Sequence, residues 1–318
     1  MSNKHVSSIT KACLAIGLSA AVTVGAVGAS LVSVNPASAA GSKTAVTVSP
    51  TDVYQTFESY IKKSSKLAQA RQYLIKNIGK VSPARATTMV LHLENAQKAQ
   101  LESVSEKFYP SDVQKVLDSA YRKKKDLSYT ALLGQIKDSK TRKLLVEARD
   151  KGYKVGTGEG MYFLTMDYAG FKQFGRHVTN DIAAYIDIMA EETNKPALSD
   201  AAVVISWSEL IKRGLAMESF VSKYPGSNRA KAVALAYNGI KFNIFYGSSN
   251  TPVYKENSKN EYTTLKPEIR KAYEAAVKQG TKSSKLLASI GHVLEMLKES
   301  DGLWTKELDR YLKKQVGE

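Results

Sequence analysis

Residues 179–189 read TNDIAAYIDIM, and this stretch carries the pattern that dominates the chain. Thr179 is a residue type favoured at the position just before a helix. The apolar residues after it recur at the i, i+3, i+4, i+7 spacing that places them on one helix face: Ile182, Tyr185, Ile186 and Met189. The stretch therefore predicts an amphipathic helix that packs one face against other helices.

The same periodicity extends along the chain in both directions from this helix. Ser-Pro pairs at 49–50 and 82–83 have the residue types that begin helices, and we expect the first helix to run to about Ile78. A long, mostly apolar helix is expected over 199–224, and a polar loop over 246–264. These patterns predict an all-α fold of about a dozen helices.

A glycine-rich segment interrupts the helical pattern near the middle of the chain. Residues 152–160 contain four glycines, and the strand-like run MYFLTM follows at 161–166. We interpret 152–166 as a short β-hairpin or an extended crossing segment. It would join two packed helical halves, 51–151 and 167–318.

The first forty residues have the features of an export signal. Lys4 and Lys11 precede an uncharged run, and the small residues at 37–39 supply a cleavage pattern, with cleavage after Ala39 or Ala40. The alternative is an uncleaved membrane anchor, since the run is long enough to span a bilayer. We expect removal of 1–40, a tether over 41–50, and no integral membrane segment afterwards.

Cysteine usage and charge add to the prediction of an extracellular location. The only cysteine, Cys13, lies inside the signal, so the mature chain would have no thiol or disulfide. Loss of Lys4 and Lys11 lowers the net charge from +16 to +14. We expect a secreted or wall-located protein of a bacterium with a single membrane, attracted to anionic cell-wall polymers or glycans. No nucleic-acid motif is present, so nucleic acid is not an expected partner.

The positive charge is concentrated in short clusters. They are Lys62–Lys63, Arg122–Lys125, Lys137–Lys143 and Lys313–Lys314. Physiological salt screens charges beyond about 8 Å, so only local clusters act together, and these clusters are short and scattered along the chain. The alternative to a polyanion-binding surface is an ordinary solvated basic exterior.

Motifs for metal binding and nucleophilic catalysis are missing from the sequence. The histidines of the mature chain, His92, His177 and His292, are far apart and none belongs to a zinc motif. We therefore predict no metal site and no cofactor. The sequence has no Gly-x-Ser-x-Gly motif, and the Ser-x-x-Lys match at 59–62 lacks the Ser-Asp-Asn and Lys-Thr-Gly motifs that accompany it in penicillin-recognising enzymes, which favours a non-enzymatic role.

Glu159 and Asp167 are the weak candidates for catalysis. A carboxylate beside apolar and aromatic residues can have a raised pKa and act as a general acid. The two could cleave a glycosidic bond if the fold brings them within about 5 to 10 Å. The alternative is a structural role as helix caps or ion-pair partners. With Tyr162, Tyr168 and Trp207 they are also the candidates for a ligand-binding groove between the halves.

Several sequence segments resemble those of an uncharacterised family of exported helical proteins from Bacillus- and Paenibacillus-like bacteria. They include GYKV at 152–155, EGMY at 159–162, VTNDI at 178–182 and ISWSEL at 205–210. The resemblance covers about the middle half of the mature chain. It implies export and brings no active site with it.

Three functions follow from these expectations. The first is a secreted, non-enzymatic envelope-associated or extracellular binding protein. The second is a cell-wall glycan hydrolase that uses Glu159 and Asp167. The third is a secreted toxin or membrane-active factor, which is less favoured because no basic amphipathic segment stands out.

Overall fold

A computed structural model describes residues 49–317 of the chain. The expected signal peptide, its cleavage site, Cys13 and most of the tether lie outside these residues. The described part is 68% helical, with thirteen α-helices and small antiparallel strand pairs between them, so the mainly helical prediction is confirmed. None of the helices within 49–317 is both long enough and apolar enough to cross a membrane.

Six helices precede the glycine-rich segment. They are α1 (Pro50–Ile61), α2 (Leu67–Asn77), α3 (Pro83–Ser105), α4 (Ser111–Lys124), α5 (Tyr129–Gln135) and α6 (Ser139–Lys151). The Ser49 and Ser82 hydroxyls accept from backbone N–H groups of the first turns of α1 and α3. The single helix expected up to Ile78 is instead two helices, because the polar stretch around Lys63 has extended backbone and begins a short 3-10 turn.

The glycine-rich hairpin is present. Strand β1 (Tyr153–Gly158) pairs antiparallel with β2 (Met161–Met166), and Gly158 faces Met161 at the closed end. Glu159 and Gly160 form the two-residue turn with φ angles of 51° and 75°. Two positive φ angles are typical of the tight turns that match strand twist, and glycine adopts them without strain.

Seven helices and three smaller hairpins follow. The helices are α7 (Tyr168–Phe171), α8 (Asn180–Asn194), α9 (Trp207–Lys223), α10 (Ala230–Tyr246), α11 (Pro267–Val277), α12 (Lys285–Glu299) and α13 (Lys306–Val316). The strand pairs are β3 (Leu198–Ser199) with β4 (Ala202–Val203), β5 (Gly247–Ser248) with β6 (Thr251–Pro252), and β7 (Tyr254–Glu256) with β8 (Tyr262–Leu265).

Two expectations about this part of the chain are wrong. The long helix over 199–224 begins only at Trp207, where the Ser206 hydroxyl caps it by accepting from the Glu209 N–H. Residues before it form the β3–β4 hairpin, because Asp200 and Ala201 have left-handed backbone that cannot continue a helix. The expected polar loop over 246–264 contains two hairpins.

Buried apolar side chains from both halves form one continuous cluster from Val53 to Leu312. Tyrosines are prominent in it, and several of their hydroxyls bond across elements. Tyr153 donates to the Gln97 carbonyl at 2.7 Å, and Tyr273 donates to the Ile244 carbonyl at 2.5 Å. Such bonds help to align the helices. The buried Tyr254 hydroxyl, by contrast, has no hydrogen-bond partner among the described residues.

Candidate functional site

The hairpin places Glu159 and Asp167 at opposite ends. Glu159 lies exposed in the turn, whereas Asp167 follows the last residue of β2. Six residues of β2 separate the turn from Asp167, about 20 Å at roughly 3.3 Å per residue. Glycoside cleavage needs carboxylates within about 10 Å, so the two do not form a catalytic pair within one chain.

Both residues make structural contacts, Asp167 through its carboxylate and Glu159 through its backbone N–H. Asp167 caps α7, its Oδ1 accepting from the Gly170 N–H at 3.1 Å. The backbone N–H of Glu159 donates to Asp200 Oδ1 at 3.3 Å, which joins the tips of two hairpins. Asp167 therefore has the capping role that the sequence left as the alternative.

The aromatic candidates are also used in packing rather than gathered along one groove. Tyr162 is buried against α4, and its hydroxyl donates to Asp118 Oδ1 at 3.1 Å. Burial, with the hydrogen bond to Asp118, raises the pKa of Tyr162 to about 12. Trp207 is the first residue of α9 and is partly buried against the core. Tyr168 belongs to a separate buried cluster.

That cluster surrounds Glu94, a carboxylate on α3 whose side chain is only 2% exposed. Tyr168 and Tyr185 each donate to Glu94 Oε1 at 2.5 Å. Lys98 Nζ lies 2.7 Å from the same oxygen. Arg229 donates to Oε2 from Nε at 2.9 Å and from Nη2 at 2.7 Å. We call these five residues the Glu94 network.

The Glu94 network joins both halves of the chain and holds its carboxylate ionised. Burial raises the pKa of Glu94, but the charges of Lys98 and Arg229 outweigh burial, so its pKa lies below its usual value. Burial raises the pKa of Tyr168 and Tyr185 well above the ordinary value. Tyr168 and Tyr185 therefore stay neutral, and the Glu94 carboxylate stays ionised and paired. Groups in these states link the helices structurally and are not poised to exchange protons as a catalytic acid and base.

The Glu94 network was not among the features predicted from the sequence, although the sequence contains a signal for it. Val90 and Leu93 mark the buried face of α3, and Glu94 is four residues after Val90 on the same face. A charged residue at a core position predicts a buried ion pair. The partner could not be predicted, because Arg229 lies 135 residues further along.

A second network has the opposite arrangement, with a buried cation among carboxylates. Arg213 on α9 is 4% exposed, and its guanidinium lies within 3.3 Å of Glu191, Glu192 and Glu209. It also donates to the Lys195 carbonyl at 2.8 Å. These contacts attach α9 to the end of α8. Burial raises the pKa of Glu192 despite the nearby arginine.

The fold brings two of the basic clusters together on one face. Residues 111–143, which contain Arg122–Lys125 and Lys137–Lys143, carry nine Lys and Arg against four Asp, a net charge of +5. Two adjoining surface grooves lie here. One, of about 300 Å³, runs between α4 and residues 135–138, and the other, of about 610 Å³, runs along the start of α6.

Four lysines line these grooves: Lys115, Lys123, Lys137 and Lys143. Lys137 lines both grooves, so we treat them as one and call it the lysine groove. All four side chains are exposed, and none forms an ion pair with another residue of the described part of the chain. Their charges are therefore available to an outside anion.

Comparison with family models, curated proteins and solved structures gives no match to this chain. Within residues 49–317 no three His, Cys, Asp or Glu side chains are grouped so that they could hold a metal ion. The lysine groove is thus the feature of the described surface with the clearest chemistry, that of a concave site for negative charge.

Proposed function

We propose that the protein is a non-enzymatic binding protein of the cell envelope or extracellular space, attached to anionic wall polymers by its basic surface. One observation carries this proposal. The fold places two basic clusters side by side at the lysine groove, where four lysines have no partner on the described chain. Placing two clusters side by side raises the local positive potential, which attracts a polyanion that can contact several of these lysines at once.

The wider charge balance and the predicted export are consistent with this function. The chain would keep a net charge of +14 after loss of the signal, and wall polymers outside the membrane are polyanions. The glycan hydrolase is no longer favoured, because its two carboxylates lie far apart in the hairpin. No observation in the described structure favours a membrane-active factor.

A wall pull-down across a salt series tests the proposal. Mature protein, residues 41–318, is mixed with purified cell wall from a bacterium with a single membrane, and the bound fraction is measured as salt rises. We expect strong retention at low salt and at least a tenfold loss of affinity at several hundred millimolar, because screening weakens each contact. Absence of retention, or retention that salt does not change, would contradict the proposal.

A further inference from the structure

We infer that the lysine groove binds an extended linear polymer with phosphate groups in its backbone and no bases, a polyol phosphate chain. This inference rests on the proposed function and adds the location of the site and the class of its ligand. Four features of the groove support it: the spacing of its cations, its open shape, the engagement of its other charged groups and a lining without aromatic residues.

The spacing of the lysines favours a ligand with several charges. Lys115 and Lys123 are eight residues apart on α4, about 12 Å along the helix at roughly 1.5 Å per residue. Their flexible side chains could converge on one phosphate, but a ligand with several phosphates can pair each lysine with a phosphate of its own. Lys137 lines both grooves and makes the track continuous towards Lys143. An extended polyanion can contact all four.

The site is a shallow, open depression. The lysines line it from α4 on one side and from residues 135–138 with the start of α6 on the other. A single flexible chain can lie along this depression and approach cations on both sides. The binding measurements with lipid vesicles described below distinguish such a chain from a bilayer surface.

The acidic and guanidinium groups in the lining are already engaged. Glu147 is paired with Lys107 and Lys151, and Asp138 accepts from the Thr141 N–H at 2.7 Å. Arg142, the arginine of the lining, donates to the carbonyls of residues 133 and 136. Because this guanidinium is occupied, the free cations of the lining are all lysines, which bind phosphate as point charges.

The lining also separates a polyol phosphate from a nucleic acid. Proteins that bind single-stranded nucleic acid combine a basic groove with aromatic side chains on which the bases stack. No aromatic residue is among those lining the two grooves of the described surface. The small and aliphatic residues between the lysines, such as Val116, Ser119 and Val146, suit a chain of polyol units without rings.

Binding measurements with a matched pair of variants test the inference. Poly(glycerol phosphate) long enough to span the groove is titrated into mature wild type, into the groove variant K115Q/K123Q/K137Q/K143Q and into the control K62Q/K63Q/K278Q/K282Q. All eight lysines are exposed, and the two variants have the same net charge. Glutamine keeps helix propensity close to that of lysine, and circular dichroism checks the fold.

We expect the groove variant to bind at least about 50-fold more weakly than wild type at about 50 mM salt, and the control to bind within about fivefold. For wild type, four phosphate contacts give a plot of log affinity against log salt concentration with a slope of about −3. For the groove variant we expect a slope much closer to zero, because most of these contacts are removed. The glycerol phosphate dimer should bind at least about a hundredfold more weakly than the polymer, since it cannot contact all four lysines.

Several results would overturn the inference. Equal losses in the two variants would mean that net charge, not the groove, determines binding. The polyol phosphate would be rejected if single-stranded DNA bound more tightly than poly(glycerol phosphate). It would also be rejected if a polyuronate or anionic lipid vesicles bound as tightly as poly(glycerol phosphate) and lost the same affinity in the groove variant. If the wild type binds wall but the groove variant binds it equally well, this inference fails while the proposed function survives. If the wild type does not bind wall, both fail.

Discussion

Replacing Glu94 by glutamine gives the most demanding test of the buried charges. Glu94→Gln keeps the size of the side chain and one acceptor oxygen for Tyr168 and Tyr185. It removes the negative charge and points an N–H₂ donor at Arg229 or Lys98. Two partly buried cations are then left without their counterion.

The expected cost follows from the geometry of the Glu94 network. Removing one partner of a buried ion pair typically costs about 3–5 kcal/mol. Lys98 is 27% and Arg229 is 14% exposed, so both keep some contact with water, and we expect the lower end, about 3 kcal/mol. For a chain of this size the melting temperature should fall by about 5 to 10 °C.

The pH dependence provides an independent check. The folded-state pKa of Glu94 lies below its usual value of 4.5, so the unfolded chain binds the proton first as pH falls. The stabilisation is therefore complete above about pH 5 and is lost as pH falls through the folded-state pKa. The gap in unfolding free energy between wild type and Glu94→Gln should narrow at acid pH.

Urea unfolding at neutral and acid pH measures both effects. The matched control is Glu274→Gln on α11, an exposed glutamate with no ion pair in the described structure, which should change stability by less than about 0.5 kcal/mol. A Glu94→Gln protein as stable as wild type at neutral pH would refute the reasoning. So would a gap that widens on acidification.

Three further substitutions test other parts of the fold by thermal or urea unfolding. Arg213→Met should cost about 3 kcal/mol, because it leaves three carboxylates around an uncharged side chain; a neutral result would mean that these contacts do not attach α9 to α8. Ser206→Ala should cost about 1 kcal/mol through loss of the cap on α9, and an unchanged stability would contradict the observed start of that helix. Gly247→Ala should cost more than about 2 kcal/mol, because a Cβ would lie 2.1 Å from the Thr251 carbonyl oxygen at a φ of 82°; tolerance of alanine would disprove the close approach of β5 and β6.

Local signals predicted much of the helical architecture. The caps at Ser49 and Ser82 and the start of α8 after Thr179 lie where expected, because capping depends on a few neighbouring residues. One detail at Thr179 differs, since its hydroxyl pairs with that of Thr87 on α3 at 3.1 Å rather than with its own helix. The residue type at 179 thus indicated where α8 begins, whereas the hydrogen bond of its hydroxyl depends on Thr87, which is distant in sequence.

The errors occurred where tertiary contacts outweigh periodicity. Residues 199–205 are apolar enough for a helix, yet Ala201 has a left-handed φ of 56°, stabilised where its carbonyl accepts from the Asn250 N–H at 3.0 Å. Asn250 lies in the stretch 246–264, which was predicted to be a loop. The β3–β4 hairpin and the β5–β6 hairpin therefore support each other, and neither could be predicted from its own residues alone. The lysine groove depends in the same way on how α4 packs beside α5 and α6, which no local pattern reports.

The location of Arg229 has a consequence for how the chain reaches its native state. Synthesis proceeds from the N-terminus, and the Glu94 carboxylate is made 135 residues before the arginine that neutralises it. Until then, α3 would have to bury an acid with only Lys98 as a counter-charge, which opposes early collapse. Closing so long a loop also slows folding. The half that precedes the glycine hairpin should therefore stay loosely packed until the remainder has been made, and truncation before Arg229 should yield a fragment that degrades or aggregates instead of a domain.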